Sequence, residues 1–447
     1  MELGRSVTIS PARRAEVVDA LRRGTVPRAG LDLFAVGMER FERAIDSELD
    51  GVEAGRAVFK AVRGEYGSGK TFFARWLAER AKRRGMAAAE IQISETETPL
   101  HKLETVYRRL AEQLSTAAYP PSALREIVDA WFYTLEEDVL AEGTIEADNS
   151  KKLAAAVDEL MERRLAGVAR ATPAFASALR AYRHAVLHED QAAAQSLIAW
   201  IGGQPNVAAA ARRAAGVKGD LDHFAALGFL QGLLEILRDS GHPGLLVVLD
   251  ETETLQRVRS DVRDKGLNAL RQLIDDVDSG RFPGLYLLIT GTPAFYDGPQ
   301  GVPRLTPLAQ RLATDFGTDP RFDSPRAVQV RLTGFDLPKL ARLGTAIRDI
   351  YAAGQDNANL ITARCDDAYI ADLARAVAGD LGGQAGIAPR VFLRKLVADV
   401  LDRIAEFDDF DPRRHYRLTL SASELTDTER NAAAVQPQSA DDVELDL

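Results

Sequence analysis

Gly64-Glu65-Tyr66-Gly67-Ser68-Gly69-Lys70-Thr71 has the G-x-x-x-x-G-K-[ST] spacing of a loop that cradles phosphates. Gly64, Gly67 and Gly69 permit backbone turns that aim N–H groups at anionic oxygens. A helix opening at the end of the loop would add its dipole to that field. In this spacing Glu65, Tyr66 and Ser68 complete the cradle, Lys70 would reach the β- and γ-phosphates of a nucleotide, and the Thr71 hydroxyl would hold Mg²⁺. A second run, Leu245-Leu246-Val247-Val248-Leu249-Asp250-Glu251, is aliphatic and ends in two carboxylates. Asp250 would hold the Mg²⁺ shell, directly or through water, and Glu251 would polarise an attacking water as general base. A carboxylate there suits hydrolysis rather than phosphoryl transfer to an alcohol. Glu253 reads equally as a supporting group and as a solvated turn residue.

These groups need a strand–loop–helix unit and a parallel sheet to bring them together. Ala57 to Val62 reads as a buried strand. Thr71 to Arg84 follows as a helix, with Phe72, Phe73, Trp76, Leu77 and Ala81 at helical spacing. Ala87 to Ile93, Leu245 to Leu249, Leu285 to Thr290 and Ala327 to Leu332 read as four further strands. Helical patterns between them predict a parallel five-stranded sheet with helices on both faces, an α/β P-loop NTPase fold. Ser10-Pro11 predicts a helix start, with the helix running to about Arg23. From Pro99 to Ser240 no strand pattern is present, and alanine-rich helical stretches are broken at Pro120-Pro121, Gly143, Gly202 to Pro205 and Gly216 to Asp220. The expected division is therefore a split nucleotide-binding domain (1–98 and 241–335), a helical insertion (99–240), a helical lid (336–407) and an acidic, largely disordered tail (408–447).

The 447 residues suffice for two or three domains. No run approaches the ~20 apolar residues that span a bilayer, and Met1-Glu2-Leu3-Gly4-Arg5 lacks the apolar core of a signal peptide. Cys365 is the only cysteine, so neither an intrachain disulfide framework nor a multi-cysteine zinc site can form. These features fit a cytoplasmic protein without a membrane partner. His184 and His188 are spaced i,i+4, which reads as a solvated helix face rather than half a metal site. The net charge of −10 weighs against a general nucleic-acid binder, but residues 421–447 carry about −6 of it. A local basic patch remains compatible with the rest. Arg257, Arg259, Arg263, Lys265 and Arg271 are its candidates, although Asp261, Asp264, Asp275 and Asp276 are interleaved with them.

Val36-Gly37-Met38-Glu39-Arg40 ahead of the loop is similar to the adenine-contacting segment of AAA+ ATPases. The loop, the Asp250-Glu251-Thr252-Glu253 turn, and Ile289-Thr290-Gly291-Thr292-Pro293-Ala294-Phe295-Tyr296 running on to Leu308-Ala309-Gln310-Arg311-Leu312 together resemble the BrxD family of ATP-binding proteins from bacteriophage-exclusion (BREX) systems. The resemblance covers most of residues 30 to 400. It implies an AAA+-like ATPase in phage defence, working beside a helicase. In that frame the strand ending at Thr290 would lie between the loop strand and the acidic strand, and Thr290 or Thr292 would sense the γ-phosphate. Arg311 would be the finger that reaches a neighbouring subunit's nucleotide, with Arg304 and Arg321 as rivals, and Arg390 would start a lid helix and contact the γ-phosphate. ATP rather than GTP is likewise implied by the family. Two functional readings follow. One is an oligomeric Mg²⁺-dependent ATPase acting on double-stranded DNA or with a helicase. The other is a slow ATP-dependent switch that assembles defence proteins. No winged-helix pattern follows the lid, which weighs against autonomous DNA binding.

Overall fold

The computed structural model describes residues 10–143, 145, 149–380 and 389–418. It forms two compact units. One comprises the described parts of Met1–Glu42, Arg63–Glu79 and Arg331–Leu447, the other Arg43–Val62 and Arg80–Val330.

The second unit is built on the sheet, of which only the last residues of the first and fifth strands, Arg63 and Arg331, fall in the first unit. Its strands are β1 (Val58–Arg63), β2 (Ala87–Gln92), β3 (Leu245–Asp250), β4 (Leu285–Gly291) and β5 (Gln329–Arg331). All five are parallel, in the order β2-β3-β4-β1-β5. Each expected strand is present within two residues of its predicted ends. β3 is buried along its whole length, as an aliphatic run between covered faces must be, and β4 likewise. β4 lies between the strand that leads into the glycine-rich loop and the strand that ends at Asp250, the placement expected from the family resemblance.

Between β2 and β3 the regular elements among the described residues are helices, from Leu103–Gln113 to His223–Asp239. The broken alanine-rich pattern predicted this, with one exception: Ser115 makes a single antiparallel bridge to Ala88 on β2. The breaks fall where glycines end helices, as at Gly143 and Gly203, both at positive φ. Trp131, Phe175, Tyr182 and Phe229 fill the core of this segment.

In the first unit, α1 (Pro11–Arg22) is capped by Ser10, whose hydroxyl accepts from Arg13 N at 3.3 Å. The helix that follows the glycine-rich loop, Lys70–Arg83, begins in this unit. We label the helix Glu42–Glu53 as α2 and Lys70–Arg83 as α3. The described residues of 337–406 are mainly helical and include a π-helical stretch, Lys395–Leu401, that no sequence pattern announced. Of the acidic C-terminal segment, residues 408–418 are described and hold a short helix, Pro412–His415; residues 419–447 lie outside the described residues.

Candidate functional site

The glycine-rich loop belongs to the first unit. Gly69 has φ +96° and Gly67 φ +78°, backbone conformations that cost an L side chain about 1–2 kcal/mol. At Gly64 the constraint is space, because a Cβ there would run into Ser68 Oγ. Ser68 is buried, and its hydroxyl oxygen has no hydrogen-bond partner. The Lys70 ammonium is also buried and donates to the loop's own carbonyls, Gly64 O at 2.8 Å and Glu65 O at 3.2 Å. It stands 5.0 Å from the centre of the Tyr66 ring. α3 opens at Lys70, so the backbone N–H groups of its first turn have no carbonyl one turn back within the helix. A cramped turn, N–H groups without helical partners, a buried unpaired hydroxyl and a buried cation fit a phosphate chain.

The acidic strand end belongs to the second unit. Asp250 is buried at the last position of β3 and accepts a hydrogen bond from the Thr290 hydroxyl on β4. Glu251 follows at φ 60°, ψ 42°, a left-handed conformation uncommon for glutamate. Its N–H donates to Asp250 Oδ1 at 3.1 Å and to Thr290 Oγ1 at 3.2 Å, which holds the bend. Its carboxylate accepts from Gln92 Nε2 at 3.0 Å. Gln92 ends β2, in register with Asp250. Thr252 donates to Thr290 O at 2.6 Å. Glu253 is buried rather than solvated.

The structure brings Asp250, Glu251 and Thr290 together and adds Gln92, which sequence reasoning missed. Thr290 is fully buried, and its hydroxyl is committed to Asp250 and the Glu251 backbone. Thr292 is also buried, directly ahead of the short helix Pro293–Asp297.

The arginine candidates fall in distinct surroundings. Arg311 ends the short helix Thr306–Arg311, forms an ion pair with Asp275 and donates to Pro307 O at 2.8 Å. Arg304 pairs with both oxygens of Asp264, whose carboxyl it holds below the ordinary range. Arg321 is 73% exposed and pairs with Asp319 at 3.1 Å. Arg390 lies in the helix Pro389–Arg394; residues 381–388 leading into it are outside the described residues.

The candidate basic residues after β3 differ in their surroundings. Arg263 is buried and donates to the carbonyls of Leu255, Gln256 and Val258, and Arg271 pairs with Asp275. Arg259 is 84% exposed. His184 and His188 stack on an exposed face with ring centres 4.0 Å apart. Among the described residues no group of three or more His, Cys, Asp or Glu side chains is placed to hold a metal, and no helix is long and apolar enough to cross a membrane.

A parallel sheet in this order, with a phosphate-type loop after β1 and an acidic end on β3, defines an α/β protein of the P-loop NTPase kind. The chain belongs to the family of BREX system ATP-binding proteins BrxC/D, which it matches over residues 9–420. The match is to BrxC and BrxD jointly, a coarser assignment than the BrxD resemblance of the motifs. No curated protein matches the chain.

Proposed function

We propose that this protein hydrolyses ATP with Mg²⁺ and that it works as an oligomer on DNA or with a helicase partner in phage defence. Membership of an ATP-binding family supports the nucleotide. The observation that carries hydrolysis is Glu251, a carboxylate one residue beyond the buried Asp250, fixed at its backbone by Asp250 and Thr290. In this reading the backbone N–H groups of residues 64–71 bind the phosphates and Lys70 exchanges its loop carbonyls for phosphate oxygens. Thr71 and Asp250 hold the metal, and Glu251 takes the proton from water. Mg²⁺, when bound, would neutralise charge on the β- and γ-phosphates. Thr290 orients Asp250, while Arg390 and a trans arginine meet the γ-phosphate.

The test is steady-state ATP hydrolysis, with and without duplex DNA, beside equilibrium binding of a fluorescent ATP analogue. Glu251→Gln should bind the analogue as wild type does and lose hydrolysis by about 10²–10⁴-fold, the usual contribution of a general base. Wild-type turnover by Glu251→Gln would remove the base assignment. A second reading is favoured by one specific observation. Gln92 donates to an oxygen of Glu251, so the carboxylate that would act as base is engaged by β2, which suits a slow nucleotide-dependent assembly switch. In that reading the helical segment 99–240 is the surface that recruits defence proteins, and turnover is slow and indifferent to DNA.

A further inference from the structure

We propose that α1 is a strut holding Arg390 in register with the phosphate loop, and that the Arg22–Asp402 pair is its fastener. Arg22 and Asp402 are thereby positioning residues for ATP turnover. The inference rests on the reading of Arg390 given above.

At its N-terminal end α1 is tied to the helix that follows the loop. Arg13 pairs with Glu79 of α3, and Glu79 is buried. The same carboxylate accepts from Gly30 N at 3.0 Å and Leu31 N at 2.8 Å, so the segment after α1 hangs on α3 as well. Trp76, one turn earlier on α3, donates to Asp32 at 2.7 Å. Nine residues further along α1, about 13 Å at helical rise, Arg22 grips Asp402 with two hydrogen bonds, at 2.6 and 2.9 Å. Asp402 also accepts from the Tyr351 hydroxyl at 2.8 Å and begins the helix Asp402–Glu406. That helix continues the π-helical stretch from the one bearing Arg390. Arg14 donates to Ala353 O at 3.3 Å at the end of the helix Leu337–Ala352.

The turn after α1 lies beside Arg390. Gly24 has φ +71°, and a Cβ there would stand 3.3 Å from Arg394 Cδ and 3.7 Å from Arg390 Cγ. The positive φ is what calls for glycine at this turn, and both the stem and one guanidinium nitrogen of Arg390 lie beside it, the nitrogen 3.8 Å from where that Cβ would stand. Val17, Val18, Ala20 and Leu21 are buried between the two polar ends, which makes α1 a stiff element rather than a tether. A displacement at Arg22 can therefore reach Arg390 by two routes, through the turn at Gly24 and through the Asp402 ion pair with the roughly three helical turns that separate Asp402 from Arg390.

The experiment compares Arg22→Ala and the exchange pair Arg22→Asp with Asp402→Arg, each with Arg390 intact and with Arg390→Ala. Arg22→Ala should lower kcat about tenfold with KM little changed, a smaller loss than the ~100-fold that a 1 Å misplacement can cause. In the Arg390→Ala background it should cost nothing further, and the exchange pair should return kcat to within about twofold of wild type. An equal loss in both backgrounds, or wild-type kcat in Arg22→Ala, overturns the proposal. Should Arg390→Ala turn over as wild type, or wild type not turn over at all, the reading of Arg390 or of hydrolysis has failed. The strut is then judged by amide hydrogen exchange over residues 389–406. Protection lost in Arg22→Ala and regained in the exchange pair supports it, and unchanged protection overturns it.

Discussion

Glu251 is held from two sides, and the two sides predict different mutant behaviour. Its backbone bend depends on Thr290 and Asp250, whereas its carboxylate is engaged by Gln92. Removing the Gln92 amide frees a carboxylate oxygen without disturbing the bend. Gln92→Ala should therefore raise resting ATP turnover a few-fold while leaving analogue affinity unchanged, measured by phosphate release under saturating ATP. A fall in turnover would mean that Gln92 aims the base instead of holding it back. Lys70 gives a complementary prediction. It would exchange two carbonyl contacts for charge-assisted bonds to phosphate, each worth about 1.5–3 kcal/mol. Lys70→Ala should weaken the Kd for the ATP analogue by at least tenfold in a fluorescence titration.

At the scale of elements, β3 and β4 were legible as near-continuous apolar runs closed by charge or glycine, and the shorter or more polar β1, β2 and β5 by their place between turns and helical patterns. Lys60 shows what that signal hides. It sits in the middle of β1, buried, yet its ammonium pairs with Glu48 of α2 at 2.6 Å and donates to the carbonyls of Pro325 at 2.8 Å and Ala327 at 3.2 Å. Glu48 in turn accepts from Tyr286 of β4. Lys60→Met should destabilise the protein by about 3 kcal/mol, as breaking a buried pair does, read as a lowered urea midpoint. An unchanged midpoint would show that methionine packing offsets the lost pair. No sequence pattern joins Lys60 to Glu48, or Arg22 to an aspartate 380 residues away. Such pairs are made by tertiary placement, which leaves no periodicity to read. The same holds for Gln92: a polar residue at a strand end is ordinary in type, and only its register opposite Asp250 gives it a role. The glycine-rich loop and the Asp-Glu end were readable as types and spacing, because positive φ at Gly67 and Gly69, the tight approach at Gly64 and the burial of Asp250 restrict which residues fit.

Assembly is the question at the scale of the whole molecule, and it turns on Arg311. Within one chain this arginine is tied to Asp275, which Arg271 also contacts. A guanidinium with a standing partner can serve a neighbouring subunit only if assembly offers something better, and a γ-phosphate carries more charge than a shared carboxylate. Arg311→Ala should then cut ATP turnover by about 10³-fold, the lower end of what a trans arginine contributes, and leave analogue binding unchanged. Wild-type turnover per subunit should also rise with protein concentration, because the arginine of one chain completes the site of another. Mixing Arg311→Ala with Glu251→Gln should recover part of the activity, since an interface can then pair an intact arginine with an intact base. Turnover independent of concentration, with no recovery on mixing, would mean that Arg311 is a structural partner of Asp275. The exposed Arg321, which pairs with Asp319 of its own loop at 3.1 Å, would then be the next arginine to substitute.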